Sequence, residues 1–236
     1  MDTPVDWQAS LGLPRLPVGI GFLDVVPPDV PAWSGGPVAA GCVFWKEAQQ
    51  GAVFYTVPAD HYHCAVGAHT HGFQLPAHRA SELGRTLEFM VESKYLDLAE
   101  VPGIPALTAA PAIIAYGPLH LISFAPDVVL LAVNPAQAML LYEAALKGGA
   151  GSSLLQALGR PACAVLPLAC GSGHAAISLG CAGNRTYTGL PASEMYVCVP
   201  GAKWDAVASQ LAVVLSANEA ISTYNRQRQA QFADTA

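Results

Sequence analysis

The sequence predicts an α+β fold of two similar halves packed about a pseudo-twofold seam, and three observations carry that expectation. Short apolar runs bounded by proline or glycine read as strands. Two longer stretches repeat their apolar residues at helical spacing. One pattern also occurs twice. In its first copy Cys42 opens a helical run stopped by Gly51, then come the strand Val53–Thr56 and Cys64-Ala-Val-Gly67. In the second copy Cys163, an apolar run, Gly171 or Gly173, the strand Ala176–Leu179 and Cys181-Ala-Gly183 follow in the same order. An apolar strand precedes each copy (Val18–Leu23, Val128–Val133), and an acidic residue with a later Pro-Gly follows each (Glu100…Pro102-Gly103, Glu194…Pro200-Gly201). The recurrence reads as an internal duplication. Residues 1–16 are then an N-terminal segment, 17–118 the first half, and 119–236 the second half ending in a long helix, all in one compact unit.

Along the chain, Val18–Val26 is an apolar strand entered from Pro17. Cys42–Gln50 places Cys42, Phe44, Trp45 and Ala48 on one face, a short helix that Gly51 ends. Ala52–Val57 is β-branched and aromatic, a strand. Pro58–Pro76 reads as a loop, and it holds His61, His63, His69 and His71. Arg79–Leu96 spaces Leu83, Leu87, Met90, Val91 and Tyr95 as an amphipathic helix. Ala112–Tyr116 and Val128–Val133 are unbroken apolar runs, hence strands buried on both faces. Ala136–Lys147 is a helix ended by Gly148-Gly149, and Ser153–Leu158 a further short helix. Cys163–Cys170 is an apolar segment, and Ala175–Leu179 and Met195–Val199 are strands. Ala202–Arg228 carries Trp204, Val207, Leu211, Val214, Leu215 and Ile221 on one stripe, a long amphipathic helix.

Composition narrows the function classes. The 236 residues are 53% hydrophobic and 12% charged, against about 25% charged for an ordinary soluble domain. That excludes disorder, because there is ample apolar surface to offset the ordering entropy. A net charge of −6 with no Lys/Arg cluster leaves nothing to track a nucleic-acid backbone. So few charges must cover the surface that a homo-oligomer is expected. Val101–Pro126 is uncharged and long enough to cross a bilayer. Its five prolines, at 102, 105, 111, 118 and 126, rule out a continuous spanning helix. Pro161–Asn184, also uncharged, is broken by Pro167 and several glycines. Met1–Asp6 is acidic, with no basic region ahead of an apolar run. A cytoplasmic location is therefore expected, with the cysteines as thiols, metal ligands or redox groups.

Chemistry concentrates in two segments. Asp60–Gly72 gathers a carboxylate, four imidazoles and the Cys64 thiol. Imidazole and thiolate are what zinc, iron and copper prefer, yet no spacing here is a recognised zinc signature. In Ser178–Gly189, a strand runs into the glycine-flanked Cys181, with Arg185 four positions later. Arg185 is placed to lower the thiol pKa, to grip an anionic substrate, or merely to cap a helix. Cys42 opens a helix, where a thiol is a good ligand or nucleophile. Cys163, Cys170 and Cys198 lie in apolar surroundings and read as core. Cys42, Cys64 and Cys181 would suit an iron–sulfur cluster with one non-cysteine or open position, and His71 is the next candidate ligand. No dinucleotide fingerprint, phosphate-binding loop or nucleophile elbow is present.

Several stretches together resemble the DUF169 family. They are Cys42-Val-Phe44-Trp45-Lys46, Phe54-Tyr55-Thr56, Asp60-His-Tyr-His-Cys64-Ala-Val-Gly67, Thr70-His71-Gly72, Glu100-Val-Pro-Gly-Ile-Pro105, Tyr116-Gly-Pro-Leu119, Pro126-Asp-Val-Val129 and Ser178-Leu-Gly-Cys-Ala-Gly-Asn-Arg185. The resemblance runs from Pro17 to Asn218. It supports the frame and the choice of Cys64 and Cys181, and implies no reaction. His63 departs from the asparagine that the resemblance leads one to expect. The residues themselves point to a metal- or iron–sulfur-cluster-binding protein with redox or sulfur-related chemistry on a small molecule. Cys42, Cys64, Cys181 and His71 would be its ligands, and Arg185 would hold an anionic group of a small-molecule substrate, or a redox partner protein would dock. Two other readings stay open. One is a haem- or metal-binding carrier or sensor using His63, His69 or His71. The other is a metal-free enzyme with Cys181 as nucleophile and a histidine of the Asp60–His71 loop as base.

Overall fold

The computed structural model of the chain describes residues 7–152 and 156–233. In chain order the strands are β1 (Val18–Leu23), β2 (Phe54–Thr56), β3 (Ile113–Pro118), β4 (Val128–Val133), β5 (Gln156–Leu158), β6 (Ala176–Ser178) and β7 (Met195–Pro200). They form one sheet in the order β2-β3-β1-β4-β7-β6-β5, antiparallel except for the β5–β6 pair. The helices are α1 (Trp7–Leu11), α2 (Val43–Gln49), α3 (Ala65–Thr70), α4 (Ala77–Glu92), α5 (Pro135–Lys147), α6 (Val165–Ser172), α7 (Ala182–Thr188) and α8 (Trp204–Ala233).

Strand periodicity divides the apolar residues between two cores. In β4 all six residues are buried, because successive side chains point to opposite faces and both faces are covered. Val128, Leu130 and Ala132 join the core on the side of α2 and α6, with Phe44, Trp45, Ala48, Val165 and Leu166. Val129, Leu131 and Val133 join the core on the side of α5 and α8, with Leu141, Ala145, Trp204, Val207 and Leu211. The order of elements also repeats about the β1–β4 pair. One side runs β1-α2-β2-α3-β3 and the other β4-α6-β6-α7-β7, with strands at corresponding places in the sheet. The first side inserts α4 between α3 and β3, and the second inserts α5 and β5 between β4 and α6.

Most expected elements stand within a few residues of where the sequence puts them. Three differ. The Pro58–Pro76 loop contains a 3₁₀ turn (Pro58–His61) and α3, too short to display an apolar period. The helix expected over Ser153–Leu158 is strand β5 from Gln156 onward, because its backbone pairs with β6, and residues 153–155 lie outside the described residues. Cys163–Cys170 is a 3₁₀ turn (Ala162–Ala164) running into α6. Pro167 is accommodated in the first turn of that helix, where a missing N–H breaks no bond. Residues 1–6 of the N-terminal segment, the acidic stretch Met1–Asp6, lie outside the described residues. No helix among the described residues is long and apolar enough to cross a membrane.

Helix α4 is amphipathic as expected, but none of its residues is buried. Its Leu83, Leu87 and Met90 face a cavity instead of a core. The α5–α8 contact is tight by contrast: a Cβ on Gly148 would lie 2.7 Å from the backbone nitrogen of Val207. Gly148→Ala is therefore expected to destabilise by about 1–3 kcal/mol through overpacking. Gly84→Ala in α4, where a Cβ meets nothing within 4 Å, is expected to be neutral or to stabilise by up to about 1 kcal/mol. Urea midpoints compare the two, and a silent Gly148→Ala would refute the close docking of α8.

Candidate functional site

Two short helices each begin at a cysteine that follows a strand. Cys64 caps α3, and its Sγ accepts the Gly67 N–H at 3.3 Å. Cys181 caps α7, and its Sγ accepts the Asn184 N–H at 3.5 Å. The chain enters α7 through Gly180, whose φ of +78° is open to glycine at no steric cost. At position 67 a Cβ would stand 3.0 Å from the Cys64 sulfur, so glycine there lets the thiol sit close over the helix. Cys42 caps α2 and is buried, with the Asn184 carboxamide beside its thiol. Cys163 lies in the 3₁₀ turn before α6, beside Thr70 at the end of α3.

All four cysteines line one cavity of about 650 Å³. Its roof is the apolar stripe of α4, and its rim is polar. Arg79 donates to Glu82 at 2.6 Å and to His63 Nδ1 at 3.1 Å. Arg160 pairs with Glu100 at 2.9 Å, its guanidinium 5.3 Å from the centre of the Tyr95 ring. His69 also lines the cavity. Burial pushes the Cys42 thiol up to about 12, opposed by the neighbouring Asn184 side chain. Burial likewise raises Cys64, against the N–H groups of Gly41 and Gly67, and raises Cys163. These three sulfurs are therefore neutral thiols at neutral pH.

The structure thus brings Cys42, Cys64 and Cys181 to one cavity, and leaves His71 and Arg185 out of its lining. His71 is fully buried at the end of α3, with neither ring nitrogen hydrogen-bonded. Its ring centre is 5.2 Å from that of His61, whose Nε2 meets the Thr56 hydroxyl at 2.9 Å. Desolvation holds His71 down at about 4 and His61 well below its usual value, so both are neutral. Arg185 donates to the carbonyls of Leu179, Leu190, Pro191 and Glu194. Its fork ties the turn after α7 to the end of the β6 segment, and so positions the Cys181 loop. Among the described residues, no three His, Cys, Asp or Glu side chains form a group that could hold a metal ion as they stand. Cys163, read as core from its apolar neighbours, does pack against the core, and it also lines the cavity; its place in the repeated pattern, matching Cys42, is the sequence signal for that second feature.

The family model DUF169, described as uncharacterised ArCR, matches residues 8–210. No curated protein and no solved structure matches the chain.

The buried imidazoles give the fold an acid sensitivity. Between pH 6.5 and 4 the unfolded chain takes up a proton on His71 that the folded chain refuses, so stability is full above that window and falls with pH across it. The loss from His71 is expected to reach roughly 3 kcal/mol, and chemical denaturation of wild type and His71→Phe at pH 7 and pH 4.5 measures it. An equal loss in both proteins would refute the assignment to His71. Arg185→Lys is expected to destabilise by about 2 kcal/mol or more, because an ammonium cannot reach four carbonyls arranged around a planar fork. A melting temperature unchanged by that substitution would show the fork to be dispensable.

Proposed function

The chain belongs to the DUF169 family, and from that premise we propose that it holds a thiophilic metal centre on Cys64 and Cys181, with Cys42 as third ligand. The centre is an iron–sulfur cluster or a single transition metal, used for redox or sulfur-related chemistry on a small molecule. One observation carries this reading: two thiols distant in sequence each cap a short helix and open onto the same cavity. Backbone N–H donors already directed at these sulfurs would stabilise the thiolates formed on ligation, as outer hydrogen bonds do at metal–thiolate sites. The cavity is far larger than a metal needs, and its apolar roof suits an organic substrate beside the centre. A negatively charged group on that substrate would meet Arg79 or Arg160 at the rim, with Arg185 steadying the loop below. His71, outside the lining, could join the ligands only if α3 shifted.

A redox partner protein would take the place of the small molecule if the centre only relays electrons. Exposed Val213 and Ile221 on α8 support self-association, in keeping with a cytoplasmic homo-oligomer. A second reading, a haem-binding carrier or sensor, is favoured by His63 and His69 on the wall of an apolar cavity.

Anaerobic purification followed by metal and sulfide analysis and an absorption spectrum tests the proposal. Bound metal is expected, with a broad visible band for a cluster, or a sharp Soret band for haem. Cys64→Ala and Cys181→Ala are expected to lower metal retention about tenfold or more, and Cys198→Ala, within β7 and away from the cavity, to leave it unchanged. Metal-free wild type after reconstitution, or loss only in Cys198→Ala, would overturn the reading.

A further inference from the structure

We propose that Cys163 is a fourth ligand, so that Cys42, Cys64, Cys163 and Cys181 together hold a polynuclear iron–sulfur cluster at the cavity floor. This rests on the thiophilic centre proposed above and adds its ligand count and nuclearity. Each side of the β1–β4 pair delivers sulfur in the same two ways. One cysteine stands at the start of the helix after the central strand's own segment, Cys42 before α2 and Cys163 before α6. The other caps the short helix that follows, Cys64 on α3 and Cys181 on α7. The contacts then cross: α2 packs on α7, and the turn holding Cys163 packs on α3. Cys42 thereby lies beside Asn184 of α7, and Cys163 beside Thr70 of α3. All four face the cavity, whereas Cys170 and Cys198 do not line it.

The number of thiols and the cavity of about 650 Å³ that they line suit a larger inorganic guest than a single ion. Zinc–sulfur bonds of about 2.3 Å bring tetrahedral ligand sulfurs to about 3.8 Å from one another. No three thiols among the described residues form such a single-ion group, although every pair among the four is close enough to interact electrostatically. In a polynuclear cluster every cysteine binds its own iron, so the sulfurs stand farther apart around a larger inorganic core. Ligation replaces four S–H bonds by four Fe–S bonds and releases four protons to solvent. With every iron coordinated, none is open as a Lewis acid, which separates this site from a three-cysteine one.

The test uses the full chain, reconstituted anaerobically with equal amounts of ferrous and ferric iron and with sulfide, which together supply the 2+ core without a further oxidant, and then desalted. Wild type is expected to retain about four iron and four sulfide per chain. Cys163→Ala and the similarly sized Cys163→Ser are expected to retain about tenfold less, or a three-iron form that gives an electron paramagnetic resonance signal when oxidised. Cys198→Ala should match wild type. Loading the wild-type protein should also protect Cys163 from alkylation, read by mass spectrometry, while exposed Cys170 still labels. Full iron and sulfide in both Cys163 variants, with loss in Cys64→Ala, would overturn Cys163 as a ligand and leave the thiophilic centre standing. So would unprotected Cys163 in loaded wild type. Wild type that binds one zinc ion and no cluster would overturn the nuclearity alone. Wild type that binds neither would overturn the proposed function itself.

Discussion

The antiparallel pairing of β1 with β4 is the constraint from which the rest of the molecule follows. Gly19 lies opposite Val129, and each strand then carries its own β-hairpin-like partner outward, β3 on one side and β7 on the other. Asp127 fastens this junction from several directions. Its carboxylate accepts the Phe22 N–H at 2.6 Å, its own N–H donates to Ile20 at 2.9 Å, and its carbonyl accepts from Gly201 at 2.7 Å. One residue at the entry to β4 therefore registers β1, β4 and the end of β7 together. A side chain at 19 would meet the terminal methyl of Ile122 in the connecting loop, which would have to shift to make room.

That pairing explains why residues so far apart in the chain share a cavity. Because the central strands run antiparallel, the two helices that follow each of them lie on the same face of the sheet, approaching from opposite sides. The cysteines at or before their N-termini then line one cavity. The asymmetric insertions complete the site. Helix α4 roofs the cavity from the first side, and the turn carrying Arg160 and Cys163 closes it from the second. A helix with an apolar stripe and no buried residue has little packing of its own.

How much of this the sequence disclosed depended on the range of the interaction. The strands β3 and β4 were legible because burial on both faces leaves an unbroken apolar run. The long helices were legible from their period. Helices α3 and α7 were not, since six or seven residues show less than two turns of pattern and are capped by cysteine instead of Ser, Thr, Asp or Asn. Cys64 and Cys181 could be singled out from the recurrence that contains them. The tasks of Arg185 and His71 could not, because they are set by carbonyls and aromatic rings that only the tertiary structure assembles. Around Cys163, Ala162, Ala164 and Val165 read as a core segment and are buried; that Cys163 also lines the cavity is set by tertiary packing.

The caps themselves hold the remaining clue. An oxygen side chain at a helix N-cap is worth about 1 kcal/mol, and a cysteine sulfur accepting a backbone N–H at 3.3 or 3.5 Å is a weak substitute. Serine would fit the same geometry and cap better. Stability therefore gives no reason for cysteine at both corresponding positions, and local rules that are broken twice in the same way mark places where something other than folding sets the residue. Neutral thiols are also tolerated in an apolar wall far better than thiolates, whose burial requires a compensating charge. Burial therefore keeps Cys42, Cys64 and Cys163 protonated in the cavity wall, which lets three thiols line an apolar space without a compensating charge.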